Sequence, residues 1–550
     1  MAKHFKVTGE PGAANEAEEA IETDAAEEGE ANVGRSAAMM SVLVIFSRIT
    51  GFVRTWGQAF ALGTTLLSSC YTVANNLPNQ LYELVIGGMI ITAFLPVYLD
   101  VKQRLGRKGA NAYISNLLSL LLIVLGVGFV LCLVFAEPLI WVQSAGTDQS
   151  TMTDAVVLFR FFAIEVVLYC LSSIASGILN AERDYFWSNA APIFNNIICT
   201  SSFIAYALLV GSQPGLAFLL LAIGNPLGVL VQILMQLPSL RRHGVRLTLH
   251  VDIHDPAIKE TLSIGVPTLV VTACGFVTTS VMTSMALVAV PESGSSIQYY
   301  ARLWYTLPYA VLAVPITVAL FTEMSDSFAK GKLAKFAEQV SSGMRQVAFV
   351  LVPFMLYLIV FSRLLMSLMR IGQFNAQSAD LTASYLSTLA LALPFYGLST
   401  FFQKAFSSMR HMMSFAVANI LASLVQVAFT VTLTPQLGIH AVSLGSALYM
   451  VVLDVISVVI IRRSVEGIDL TGFVVSLVRS LALGLAGAAV GALILHLMGG
   501  DAGALTLPRA LLILVCGGVP AVAVTFGAAL ALHIPEAAFF GRILGKLKRH

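Results

Sequence analysis

Ser41-Val-Leu-Val-Ile-Phe-Ser-Arg-Ile-Thr-Gly-Phe-Val-Arg54 is the stretch from which the fold reads outward. With its flanks it forms an apolar run over 36–60, long enough to cross a bilayer, which takes about 20 residues, yet it carries Arg48 and Arg54. An arginine at the bilayer centre costs about 2.5–3.5 kcal/mol on insertion scales. Two of them in one span point to a cavity that receives something anionic, with snorkelling to the interface as the alternative for each. Six residues turn a helix by about 120° and rise about 9 Å, so both side chains can border one cavity without stacking. A guanidinium stays charged and bonds two phosphate oxygens at once, so diphosphate is the anion it suits.

The rest of the chain is equally apolar. Its 550 residues are 57% hydrophobic and 11% charged, against about 25% charged in soluble domains. The apolar runs are continuous, as in 117–135, which excludes the alternating ten-residue strands of an outer-membrane barrel. The expected spans are 36–60, 66–99, 111–136, 152–180, 188–211, 214–239, 258–290, 296–325, 341–372, 380–404, 412–433, 438–462, 471–498 and 506–533. The second is too long for one straight helix, and Pro78 and Gly87-Gly88 suggest a break, which is tolerated where backbone lines a cavity.

Loop charge orients these spans. Cations follow the even-numbered ones: Lys102/Arg104/Arg107/Lys108, Arg183, Arg241/Arg242/Arg246, Lys330/Lys332/Lys335, Arg410, Arg462/Arg463 and Lys546/Lys548/Arg549. The opposite loops hold few, chiefly Arg370 and Arg509. The positive-inside rule then puts both termini in the cytoplasm.

The chain also repeats itself. Ala93-Phe-Leu-Pro-Val-Tyr-Leu-Asp100 resembles Ala319-Leu-Phe-Thr-Glu-Met-Ser-Asp326 at an offset of 226; Arg183 and Arg410 are offset by 227, and Arg241-Arg242 and Arg462-Arg463 by 221. A six-helix duplication explains the common offset. Six is even, so the halves enter the membrane alike and form a parallel repeat with the substrate site between them. The expected fold is an all-α polytopic membrane protein of about 14 transmembrane helices: two parallel six-helix repeats plus two C-terminal helices. Its parts are an acidic tail (1–34), an N-terminal bundle (35–246), a C-terminal bundle (247–467) and two additional helices with a basic tail (468–550).

The tail holds nine acids and two lysines, a charge of −7 that leaves +9 on the remainder of a chain whose total is +2. Rich in Ala and Glu, with no aromatic from Glu10 to Glu30, it reads as disordered and not as a signal peptide. The six cysteines sit in apolar stretches without ligand spacing and read as buried small hydrophobes. His250-Val-Asp-Ile-His-Asp255 reads as a solvated linker in preference to a metal site. Walker A, HExxH and nucleophile-elbow motifs are missing, so a transporter is expected, not an enzyme.

Four residues are expected to bind substrate: Arg48, Arg54, Arg302 and Glu83. Glu83 lies at membrane depth and either pairs with an arginine or binds a coupling proton; Arg302 is cavity cation or interfacial. Arg160 and Glu165 neutralise one another or partners in neighbouring helices. Asp454 is an ion site or a helix–helix contact.

Ser47-Arg-Ile-Thr-Gly-Phe-Val-Arg54, Val73-Ala-Asn-Asn-Leu-Pro-Asn79, Ala93-Phe-Leu-Pro96, Gly177-Ile-Leu-Asn-Ala181, Pro192-Ile-Phe-Asn-Asn196 and Leu307-Pro-Tyr-Ala-Val-Leu-Ala313 together resemble the MurJ/MviN family of lipid II flippases in the MOP superfamily, over about 36–540. The Tyr82-Glu83 variant looks like the actinobacterial branch. The resemblance implies a bacterial cell-membrane protein that moves undecaprenyl-diphosphate-linked disaccharide-pentapeptide from the inner to the outer leaflet by alternating access. It implies no cofactor, with a coupling ion or the membrane potential as the drive. Membrane lipid and cell-wall synthesis proteins are the candidate partners, and nucleic acid is not. The family's first-helix arginines map onto Arg48 and Arg54 and its span-8 arginine near Arg302. Spans 13 and 14 would line a groove for the polyprenyl tail, their Gly484, Gly487 and Gly491 giving either close helix approach or room for a chain. The chain departs from the family at Thr55, Ser69, Tyr82 and Glu83, so its cavity holds fewer charges. A polysaccharide-lipid flippase or a multidrug/cation antiporter of the same superfamily is the alternative.

Overall fold

In a bilayer only a helix or a closed barrel satisfies its own backbone, and continuous apolar runs without a period of two take the helix. A computed structural model describes residues 39–40, 42–84, 94–500 and 505–537, and all regular structure among them is helical. The acidic tail, Gly87-Gly88 and the basic C-terminal tail lie outside the described residues.

The N-terminal part runs α1 (42–62), α2 (Leu66–Tyr82), α3 (Leu95–Val134), α4 (Ala136–Ser144), α5 (Thr153–Phe162), α6 (Glu165–Ala181), α7 (Tyr185–Leu209) and α8 (Pro214–Arg242). The C-terminal part runs α9 (Pro256–Ala289), α10 (Gly294–Pro308), α11 (Val314–Ala329), α12 (Leu333–Ser367), α13 (Ala376–Leu389), α14 (Leu393–Ser408), α15 (Met412–Leu437) and α16 (His440–Ser464), followed by α17 (Leu470–Leu497) and α18 (Leu507–Ala531).

Among the described residues eleven helical segments are long and apolar enough to cross a membrane, or twelve if α5 and α6, bent by 42°, make one span. This count does not establish the fourteen expected, for local reasons. Residue 41 and residues 85–93, inside the first two expected spans, lie outside the described residues. The 40-residue α3 joins the end of the second span to the third across Gly106, whose φ of 65° is a left-handed bend that glycine makes without a Cβ clash. Pro78, expected to help break the second span, instead sits inside α2, which runs on to Tyr82.

Prolines mark the other interruptions. Pro315 and Pro394 have no N–H to give the carbonyls four residues earlier. The backbone answers with a π-turn at Tyr309–Ala313 and a 3-10 turn at Ala390–Ala392.

Backbone geometry recurs at the repeat spacing. Arg183 and Arg410 both take left-handed φ, 60° and 58°, uncommon for a residue with a Cβ. Each closes the same helix-ending turn: Asp184 N–H donates to the Leu179 carbonyl at 2.9 Å, His411 N–H to that of Phe406 at 3.0 Å. Gly106 and Gly331 form a second pair, with φ of 65° and 68°.

The core is divided. One cluster gathers buried side chains from Met282 to Ala537, and two smaller ones gather those of the N-terminal part. Among the described residues three cross the divide: Ala59 of α1 packs into the C-terminal cluster, and Leu287 and Ile258 of α9 into N-terminal ones.

Loops of one charge class meet at one end, the basic end. There Glu182 accepts from Arg107 Nη1 and Nη2 at 2.7 and 2.8 Å, from Lys102 at 2.8 Å and from the Tyr98 hydroxyl at 2.6 Å. Burial opposes its charge, but these hydrogen bonds hold the carboxyl down at about 2. The linker at 247–255 is pinned to α3, beyond what a solvated segment requires. Thr248 and His250 N–H donate to the Ser115 and Ser119 hydroxyls at 3.1 Å, and Asp252 N–H to Asn116 Oδ1 at 2.7 Å.

On α17 the glycine face is used for close approach. Gly484, Gly487 and Gly491 are buried, and a Cβ on Gly487 would collide with Thr525 and Ala521 of α18.

Candidate functional site

The 120° between Arg48 and Arg54 sends the two side chains to different places. Arg48 is exposed on a cavity of about 440 Å³ that also touches Phe52, Asn189, Asn196, Leu303 and Thr306, residues of α1, α7 and α10. Arg302, one turn before Thr306 on α10, faces a second cavity of about 210 Å³ with Gln298, Tyr305, Tyr385, Tyr396 and Tyr449. Thr306 borders both cavities, and its hydroxyl donates to the Arg302 carbonyl at 3.0 Å. Arg48 therefore faces a space between the N- and C-terminal parts, and Arg302 an adjoining one lined by residues of the C-terminal part.

Glu83, one residue past α2, is exposed and feels the charge of Arg302. Among the described residues no ion pair of 4 Å or less joins the two.

Arg54 lines neither cavity. It is half-buried within the N-terminal part, where its Nη2 donates to Asn225 Oδ1 of α8 at 3.0 Å. Asn225 Nδ2 donates to Glu165 Oε2 at 3.0 Å and also to Asn75 Oδ1 of α2. Glu165 is fully buried and takes a second bond, from the Tyr169 hydroxyl at 3.1 Å. Arg160 is not its partner. It lies 3.7 Å from Glu137, because the bend after Phe162 turns the two ends of the fourth expected span apart. Sequence reasoning points to Glu165 but does not join it to Arg54, and it misses Asn225. A polar amide in the middle of an otherwise apolar span, Ile223-Gly-Asn-Pro226, is the available signal.

Asp454 is buried on α16, accepts from the Ser399 hydroxyl at 2.7 Å, and leaves Oδ2 without a partner among the described residues.

The end opposite the basic loops is closed between the two parts. Gln373 N–H donates to the Phe60 carbonyl at 3.0 Å, and Thr64 and Ser378 hydroxyls meet at 2.7 Å. The Tyr300 hydroxyl bonds the Gly63 carbonyl and the Ser68 hydroxyl, each at 2.9 Å. Gly63 and Gly372 permit this approach: both have positive φ, and a Cβ on either would strike the opposing backbone, at Gln373 or Phe60.

A family model described as lipid II flippase MurJ matches residues 58–511. The chain is 24% identical over 449 residues to the probable lipid II flippase MurJ of Borreliella burgdorferi, covering 81% of this chain and 87% of the relative. It is 25% identical over 369 residues to the lipid II flippase MurJ of Burkholderia cenocepacia, covering 66% and 70%. Among solved structures it is similar in fold to a lipid II flippase MurJ in an inward closed conformation, with a TM-score of 0.71, 18% identity, and coverage of 90% of this chain and 99% of that one. An inward-facing multidrug resistance MATE transporter of the MOP superfamily follows at a TM-score of 0.58, 14% identity, and coverage of 77% and 94%. With the family match spanning most of its length, on a helical fold of the same class, the chain belongs to the lipid II flippase MurJ family.

Proposed function

We propose that this protein flips lipid II, the undecaprenyl-diphosphate-linked disaccharide-pentapeptide, from the inner to the outer leaflet of the bacterial cell membrane. The observation that carries the reading is the placing of Arg48 on a cavity between the two parts of the chain and of Arg302 on an adjoining cavity of the C-terminal part. A diphosphate between them meets two permanent cations, while the glycan finds hydroxyls and amides at Thr306, Asn189 and Gln298.

In this reading residues 35–246 and 247–467 are the two bundles, α17 and α18 are additions to the second, and the basic end is cytoplasmic with both termini. The closed end is then the outer one, and the cavity loads from inside. Transport proceeds as the closed end parts and the basic end closes, driven by a coupling ion or the membrane potential. The polyprenyl tail stays in apolar surroundings throughout, because each CH₂ loses about 0.8 kcal/mol on moving into water. Glu83 partly offsets the field of Arg302, and Arg54 supplies a further cation for the diphosphate.

The second reading, a drug/cation antiporter, draws on Tyr305, Tyr385, Tyr396 and Tyr449 around one cavity, since aromatic faces attract organic cations. Arg302 in the same cavity repels such a substrate.

Reconstitution in proteoliposomes tests the assignment. Fluorescent lipid II on one leaflet should become accessible on the other in the presence of the protein, and an organic cation should not move. The opposite pattern would favour the antiporter.

A further inference from the structure

Arg54 is held by a built site. Asn225 is fully buried, and its amide nitrogen has two acceptors, Glu165 Oε2 and Asn75 Oδ1. Those acceptors decide which way the amide points: the nitrogen toward them, Oδ1 toward Arg54 Nη2. Glu165 lies beyond the amide, and among the described residues no direct ion pair of 4 Å or less links it to Arg54. Tyr71, Tyr169, Cys199 and, from α10, Tyr299 stand around it.

The hold is incomplete on both sides. Among the described residues Arg54 Nε is buried with no hydrogen-bond partner, and so is Glu165 Oε1. A guanidinium with an unmet donor is bound less tightly than one engaged through its full fork. Asp454 provides a contrast: it is a buried carboxylate whose bonded partner is a serine. The N-terminal part thus keeps a cation and a carboxylate in one network without pairing them.

We propose that Asn225, oriented by Glu165, is a docking site for the Arg54 side chain that competes with the diphosphate of the substrate. The inference rests on the reading of Arg54 as a diphosphate-binding cation. With the cavity empty, Arg54 sits in the docking site. An arriving diphosphate offers acceptors that can fill the whole guanidinium fork, Nε included, and draws the side chain across. Because Arg54 is in α1, Asn225 in α8, Glu165 in α6 and Asn75 in α2, release of the side chain removes one tie among these four helices. Substrate binding and the packing of the N-terminal bundle are linked in this way, and linkage is reciprocal. Asn225 and Glu165 are positioning residues; neither touches substrate.

Binding of undecaprenyl diphosphate to the full-length protein in detergent, measured for Asn225→Ala, Glu165→Gln and Arg54→Ala, tests the proposal. Weakening the docking site should tighten binding, by about fivefold or more for at least one of the first two variants, the low end of typical coupling. A purely structural role would weaken binding or leave it unchanged. Thermal unfolding of each sample shows whether it is folded, and using two variants keeps the test open if one is not. Binding no tighter than wild type in the folded variants, with Arg54→Ala clearly weaker, overturns the docking site and leaves the role of Arg54 standing. Wild-type affinity in Arg54→Ala overturns that role and the docking site with it.

Discussion

The Ser69 hydroxyl donates to that of Ser296 at 3.4 Å, and the two residues stand 227 positions apart, the same spacing as Arg183 and Arg410. A residue touches its own counterpart only where it lies on the axis relating the halves. The neighbouring bond from the Ser295 hydroxyl to the Ser69 carbonyl, at 3.4 Å, keeps to the same axis. The start of α2 and the start of α10 therefore meet at the closed end, where alternating access has to part them.

A Ser69→Cys/Ser296→Cys pair in a background without the six native cysteines should crosslink under mild oxidation. The crosslink should stop transport, and reduction should restore it. Gel mobility with and without reductant reads the bond. Failure to crosslink would show that the two starts do not meet in the resting protein.

Arg48→Ala should lower the rate of lipid II transfer by about tenfold or more, since a charge-assisted hydrogen bond is worth about 1.5–3 kcal/mol. Arg48→Lys should recover only part of it, because the ammonium has the charge without the fork. Membrane abundance should be unchanged in both, as the side chain is exposed in the cavity and carries no packing load.

Glu182→Gln should destabilise the protein by about 2 kcal/mol at neutral pH through its bonds to Arg107 and Lys102. A carboxyl held down at about 2 gives stability that is present above its ordinary value and lost as pH falls toward 2. The difference between wild type and variant in thermal unfolding should therefore shrink as the pH falls below the usual carboxylate range and stay constant above it.

Gly487→Leu should cost about 1–3 kcal/mol by overpacking, because α18 already occupies the space at Thr525 and Ala521. Thermal unfolding in detergent measures it. A Cβ on Gly518, inside α18, would meet nothing within 4 Å, so Gly518→Ala should raise stability by about 0.5–1 kcal/mol.

Helices and their order were legible because each has a local signal, apolar run length and loop cations, and the recurring turn at Arg183 and Arg410 is visible at the repeat spacing. The bend at Gly106 was harder to read, since one glycine in a basic loop looks like any other. The destinations of Arg48 and Arg54 were half legible. Helical geometry gave the 120° between them, but only tertiary packing decides that one angle meets a cavity and the other meets Asn225. Arg160 and Glu165 were open to pairing with one another or with neighbouring helices, and the second holds. The bend between α5 and α6 separates them, and no local pattern announces that Asn225, 60 residues on, joins Glu165 to Arg54 in one network.

The most direct test of the account is the leaflet on which lipid II accumulates when the protein is depleted and then replaced. Depletion should trap lipid II on the cytoplasmic leaflet, and wild-type protein should return it to the outer one. Arg48→Ala at equal membrane abundance should leave it trapped. Lipid II reaching the outer leaflet at the normal rate in depleted cells, or in cells carrying only Arg48→Ala, would contradict the account.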